Sequence, residues 1–125
     1  MDRELIDHHD GHGLTESIKI LADEPGPGGA SHRYLIQVEA PDGQKFAVGE
    51  IQFQKGPRNV EGSTPGVVES ALLAIVVDRM RSFNSGELRN RQNALVQTKC
   101  EEAIHWLRDR ADERARRGVL GTMNK

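Results

Sequence analysis

Apolar residues recur in the first half of this chain at every second position and in the second half at every third or fourth. A sheet is therefore expected before helices. Between Leu14 and Leu21, Leu14, Ile18 and Ile20 share one parity while Thr15, Ser17 and Lys19 take the other, which predicts a half-exposed strand. Tyr34, Ile36 and Val38 then alternate with Arg33, Leu35, Gln37 and Glu39. Pro41-Asp42-Gly43 is a turn signal. The stretch from Phe46 to Phe53 reads as the return strand, with Ala47, Ile51 and Phe53 on one face. Two loops, 23–29 and 55–63, are too rich in proline and glycine to continue a regular element.

Helical spacing takes over after residue 64. Thr64 followed by Pro65 predicts a helix start, a hydroxyl N-cap and then proline in the first turn. The run Val67 to Met80 has no polar side chain over 71–77, so it needs cover on most sides, which predicts an oligomer. Residues 82–86 break the helix, with Asn84 or Ser85 available to cap the next. From Glu87 to Arg117 neither proline nor glycine intervenes, enough for a helix of about 45 Å. Val96, Cys100, Ala103 and Leu107, widened by Ile104 and Ala111, form the seam of an antiparallel helical hairpin. The expected class is α+β: a small N-terminal antiparallel sheet followed by a two-helix antiparallel hairpin with a long C-terminal helix. The expected layout is a single domain over 1–125, with a polar arm (1–13), the sheet (14–54), the hairpin (64–117) and a glycine-containing tail (118–125).

Composition sharpens the expectation of self-association. With 36% hydrophobic residues and a mean hydropathy of −0.60 over 125 residues, the chain is polar for its size, and a partner subunit would complete its burial. A net charge of −2 argues against a nucleic-acid polymer as partner. No run approaches the ~18 apolar residues of a membrane span, and the N-terminus lacks an apolar leader. With the lone Cys100, these features make the cytoplasm the expected compartment.

Charge is unevenly spread, and that is where chemistry is expected. Arg108, Arg110, Arg114, Arg116 and Arg117 crowd the end of the long helix, which runs into Gly118-Val119-Leu120-Gly121-Thr122. Arginine, main-chain N–H groups beside glycine and a hydroxyl suit phosphate oxygens; a glycine-capped helix with a frayed tail is the plainer alternative. At the other end, Phe83, Asn84, Arg89, Asn90, Arg91, Gln92 and Asn93 gather an aromatic, amides and guanidiniums around a helix N-terminus, where anions are favoured. Asp7-His8-His9-Asp10-Gly11-His12 has metal-binding residue types, but adjacent ligands on an arm rarely converge on one ion, so no metal is expected. No nucleophile–base pair, P-loop or Cys/His dyad stands at a recognisable spacing. The chain reads as a non-enzyme.

Three stretches together resemble a known family. The first holds Phe53-Gln54-Lys55-Gly56-Pro57, Glu69-Ser70-Ala71-Leu72-Leu73-Ala74-Ile75, Asp78-Arg79-Met80 and Phe83. The second holds Arg91-Gln92-Asn93-Ala94, Thr98-Lys99-Cys100-Glu101-Glu102-Ala103 and Trp106-Leu107; the third is Arg114 to Thr122. The series is similar to the phage Thoeris anti-defence proteins of the first type, whose hairpin is shared with phage anti-CBASS sponge proteins. The resemblance implies a non-catalytic sponge, assembled as a dimer or hexamer and needing no cofactor, that sequesters cyclic nucleotide signals. It implies Phe83, Asn93, Arg110 and Arg33 for a glyco-cyclic ADP-ribose. It implies Arg91, Arg117, Gly118, Gly121 and Thr122 for a cyclic trinucleotide. Leu120 departs from the glutamate of the family pattern, and loop 58–66 is poorer in Val-Gly-Val-Asn-Gly type residues. A phosphodiesterase acting on such signals, or a helical protein-interaction module, are the alternatives.

Overall fold

The alternating half of the chain forms a four-stranded antiparallel sheet in the order β1-β2-β3-β4, made by Arg3–Leu5, Ile18–Ala22, Arg33–Glu39 and Lys45–Gln52. The computed structural model describes residues 1 and 3–125; Asp2, part of the expected arm, lies outside the described residues. Register places Leu5, Ile20, Ile36 and Gly49 in one row across the sheet, and Arg3, Ala22, Tyr34 and Ile51 in a second. Ile18, Val38 and Phe46 make a third. Directly opposed residues share a face, so these rows build one face that is apolar but for Arg3 at its edge, with Lys19, Gln37 and Glu50 beside Leu21 and Leu35 on the other. Tyr34 and Phe53 meet edge to face at 5.7 Å.

The sheet departs from the sequence pattern at three places. Arg3–Leu5, inside the expected polar arm, is a paired edge strand. Residues 15–17 are a 3₁₀ turn and the strand begins only at Ile18. The Glu16 carboxylate takes the N–H groups of Gly13 (3.1 Å) and Asp10 (3.2 Å) and the Thr15 hydroxyl, and these local bonds compete with a strand ladder. In β4, Ile36 opposes Gly49 while Gln37 opposes Ala47, which leaves Val48 unopposed as a bulge. The extra residue switches parity, so Phe46 joins Ile51 on the apolar face and Ala47 moves to the other.

Two helices follow, α1 (Glu69–Asn84) and α2 (Arg91–Arg116). The class is α+β. Residues 1–56 with 62–66 form one compact unit and residues 57–61 with 67–125 the other. The helix start expected at Thr64-Pro65 is not used. Thr64 exchanges both main-chain hydrogen bonds with Lys55 (2.9 and 2.8 Å), so its carbonyl cannot open a helix. Gly66 runs so close to Gln52 and Phe53 that a Cβ would lie 2.4–2.6 Å from their backbone. α1 begins instead after Val68, with no side-chain cap.

The helices are antiparallel. Asn84 Nδ2 donates to the Asn93 carbonyl (3.2 Å) and Gln97 Oε1 (2.8 Å), and Arg81 pairs with Glu101 at 3.1 Å further along. Asn84 is thereby committed to packing and Ser85 Oγ donates to the Ser82 carbonyl, so neither caps α2. Asn90 does, its Oδ1 accepting the Asn93 N–H at 2.7 Å. Half-buried Asn93, Gln97, Cys100, Ile104, Leu107, Ala111 and Arg114 recur at 4-3 spacing, while Val96, expected in the seam, is 41% exposed. Gln97 replaces it because it receives the Asn84 amide. Only Val77 of this unit is a deeply buried apolar residue; Ile75 is 60% and Trp106 66% exposed. Among the described residues no helix is long and apolar enough to cross a membrane.

Candidate functional site

The candidate residues of the hairpin unit fall at the two ends of α2. At its start, a cavity of about 600 Å³ is lined by Asn84, Arg89, Asn90, Arg91, Gln97 and Thr98, among others. Arg89 and Arg91 are exposed there, with no acidic partner among the described residues. The Arg91 and Gln92 N–H groups belong to the first helical turn, which has no acceptor of its own inside the helix. An anion therefore meets two guanidiniums and the positive end of a 26-residue dipole. Asn93 sits in that same turn, its Nδ2 donating to the Leu88 carbonyl at 3.0 Å. Phe83, in the last turn of α1, is half-buried, and the Arg79 guanidinium lies 5.3 Å from its ring centroid.

Towards the other end, a cavity of about 620 Å³ opens between the first turn of α1 and the second half of α2. Val68, Ile104, Leu107, Ala111 and Leu120 supply apolar wall; Arg108, Arg110 and Arg114 supply charge. Arg108 and Arg110 are exposed and unpaired among the described residues. Arg108 stood in the sequence only as one of a crowd; the helical turn that sets it beside Ile104 and Ala111 singles it out.

The tail folds back on the helix. Gly118 takes φ 73°, its N–H bonding the Ala115 carbonyl (3.0 Å) while the Val119 N–H bonds that of Arg114 (3.0 Å). This is a Schellman cap, and it requires a residue that tolerates positive φ. Gly118 therefore offers no free N–H to a ligand. Thr122 is committed too: its hydroxyl donates to the Val119 carbonyl at 2.6 Å and accepts the Asn124 N–H at 3.2 Å. Gly121, at φ 76°, places its Cβ position 3.1 Å from the Asn59 amide. Arg117 is held by Glu113, Nε to Oε1 2.5 Å, and donates to the Lys125 carbonyl.

The structure therefore brings Asn93 and Arg91 together in the first turn of α2, and Arg117, Gly118, Gly121 and Thr122 together in the tail. It does not bring the two groups to each other, because α2 separates them by 26 residues, about 39 Å. Arg110 is 17 residues from Asn93, about 25 Å along the same helix. Arg33 belongs to the sheet unit, where it is ion-paired with Glu50 across the β3–β4 ladder. In the N-terminal segment His8 Nε2 bonds the Ile18 carbonyl at 2.6 Å, and among the described residues no three His, Cys, Asp or Glu side chains gather as a metal site.

Residues 47–111, just over half of the chain, match the family model described as Acb2/Tad1, hairpin domain. The chain is also similar to Thoeris anti-defense 1 of Bacillus phage SBSphiJ7, 43% identical over 75 residues. That alignment takes in 60% of this chain and 52% of the relative, so the match spans about half of the curated protein's length. On these two matches the chain belongs to the Acb2/Tad1 hairpin family of phage anti-defence proteins.

Proposed function

We propose that this protein is a non-catalytic sponge that sequesters cyclic nucleotide immune signals in the cytoplasm of an infected bacterium. One ligand is a glyco-cyclic ADP-ribose, held by Phe83, Asn93, Arg110 and Arg33. The second is a cyclic trinucleotide, held by Arg91 with the Arg117–Thr122 tail. The observation that carries this reading is the pair of cavities in the hairpin unit: Arg89 and Arg91 wall one, and Arg108, Arg110 and Arg114 wall the other beside Glu69, none of these arginines being ion-paired among the described residues. A phosphate needs such charge, and the large cavity's apolar wall suits the face of a base. A sponge must hold its ligand rather than turn it over. Nanomolar affinity, about 12 kcal/mol, is within reach of stacked bases plus charge-assisted phosphate bonds.

Each ligand set is divided between the two ends of α2. No cyclic dinucleotide-sized molecule bridges about 25 Å, so each pocket is completed by a second copy, in a dimer or a hexamer. Exposed apolar residues within the hairpin unit support the same conclusion: Ile75 is 60% and Trp106 66% exposed.

Calorimetric titration with glyco-cyclic ADP-ribose and with cyclic tri-adenylate, followed by denaturation and analysis of the released nucleotide, tests the proposal. Tight binding with unchanged ligand recovered is expected. Recovered cleavage product would make the protein a phosphodiesterase, and no heat from either ligand would favour an interaction module.

A further inference from the structure

We infer that Arg114 is a positioning residue for the tail: its guanidinium draws the tail carbonyls inward, so that the Leu120 and Met123 N–H groups face outward as donors to phosphate oxygens. This rests on the sponge reading above and assigns donors within it. Arg114 Nη2 donates to the carbonyls of Val119 (3.0 Å), Thr122 (3.1 Å) and Asn124 (2.8 Å). In a trans peptide the C=O and the following N–H point in opposite directions. Binding the Val119 carbonyl therefore aims the Leu120 N–H away from Arg114, and binding that of Thr122 does the same for Met123. Neither N–H has an acceptor among the described residues, and both residues are exposed, 50% and 76%. The Gly121 N–H, between them, is also without an acceptor among the described residues.

The arrangement also explains why a buried-facing arginine is used here. The Val119 carbonyl is also held by the Thr122 N–H (3.1 Å) and hydroxyl (2.6 Å), but the Thr122 and Asn124 carbonyls have Arg114 as their one donor among the described residues. Arg114 meets that need through Nη2. On this inference the main-chain amides on the opposite edge are phosphate donors, with Arg117 alongside.

The test uses the full chain, with cyclic tri-adenylate and glyco-cyclic ADP-ribose as probes. Arg114→Met should weaken cyclic tri-adenylate about ten- to a hundred-fold, the worth of one or two bonds to a charged group, and glyco-cyclic ADP-ribose, whose Arg110 lines the same cavity as Arg114, by clearly less. Arg114→Lys, which keeps a cation among the carbonyls, should recover part of the loss. A purely stabilising arginine would lower the melting temperature without separating the two ligands, and equal loss of both, or no loss of cyclic tri-adenylate, overturns the inference. In the wild type, the Leu120 and Met123 amide protons should move downfield in NMR spectra when cyclic tri-adenylate is added; unmoved amides overturn it whether or not the variants fold. Wild-type protein that takes up neither nucleotide overturns the sponge reading itself and is recognised before any variant is made.

Discussion

At the start of α2, Arg89 and Arg91 stand exposed beside a cavity with no acidic partner among the described residues. At its end, Arg114 holds three carbonyls and Arg117 a carboxylate. The residue type is the same, but its thermodynamic role differs. A free guanidinium gives its full charge to an incoming phosphate, whereas a paired one must first give up or share its partner. Clustering of arginine thus marks where anions could bind, and the pairing pattern separates direct ligands from residues that shape the backbone.

Replacing the free and the paired arginines should separate them most clearly. Arg91→Ala should weaken cyclic tri-adenylate by about 1.5–3 kcal/mol, and Arg117→Ala by less, because Arg117 exchanges Glu113 for the ligand; equal losses in calorimetry would break the distinction. Next is Gly121→Val, which forces a β-branched residue to positive φ against Asn59. It should cost about 1–2 kcal/mol, seen as a lower thermal midpoint, and abolish tail binding while glyco-cyclic ADP-ribose still binds. Asn90→Ala removes the α2 cap and should cost about 1 kcal/mol in thermal unfolding, whereas Asn90→Asp, which keeps an acceptor, should not. Glu113→Gln relaxes the hold on Arg117. Since that pair is about half exposed, its worth is at most about 1 kcal/mol, and a rise of a few-fold in cyclic tri-adenylate affinity is expected.

The weakest expected effect lies far from arginine. The Thr15 hydroxyl, and then the Gly13 N–H, hold the Glu16 carboxyl down at about 2 against an ordinary 4.5. A lowered carboxyl contributes stability above its unfolded value and loses it as pH falls through the folded one. The Asp10 and Gly13 amides should therefore stay protected from exchange above about pH 4.5 and lose protection towards pH 2, while the Val119 and Thr122 amides, bonded to main-chain carbonyls, should not follow them.

Much of this architecture was legible in the sequence, because alternation and helical spacing act through burial. The β3 boundaries and the hairpin followed directly from Tyr34, Ile36 and Val38 and from Cys100, Ile104 and Leu107. What escaped depends on partners distant in sequence. Thr64-Pro65 has every local feature of a helix start, yet Lys55 claims the Thr64 backbone. Asn84 and Ser85 are good caps, but Gln97 and Ser82 occupy them. At the site, the arginine-rich ends of α2 were legible as charge. The commitments of Thr122, Gly118 and Arg114 were not, since each depends on the chain doubling back after residue 117.

The sponge function proposed above needs a protein about as abundant as its signal, so crowding with copies of itself would be part of its working condition. β4 is an eight-residue edge strand with Phe46 48% and Val48 64% exposed, the sort of strand on which chains stack into cross-β aggregates. The unopposed Val48 interrupts its ladder midway and adds local twist, so another extended segment cannot zip along the full length. One inserted residue thereby guards this edge against strand-to-strand stacking.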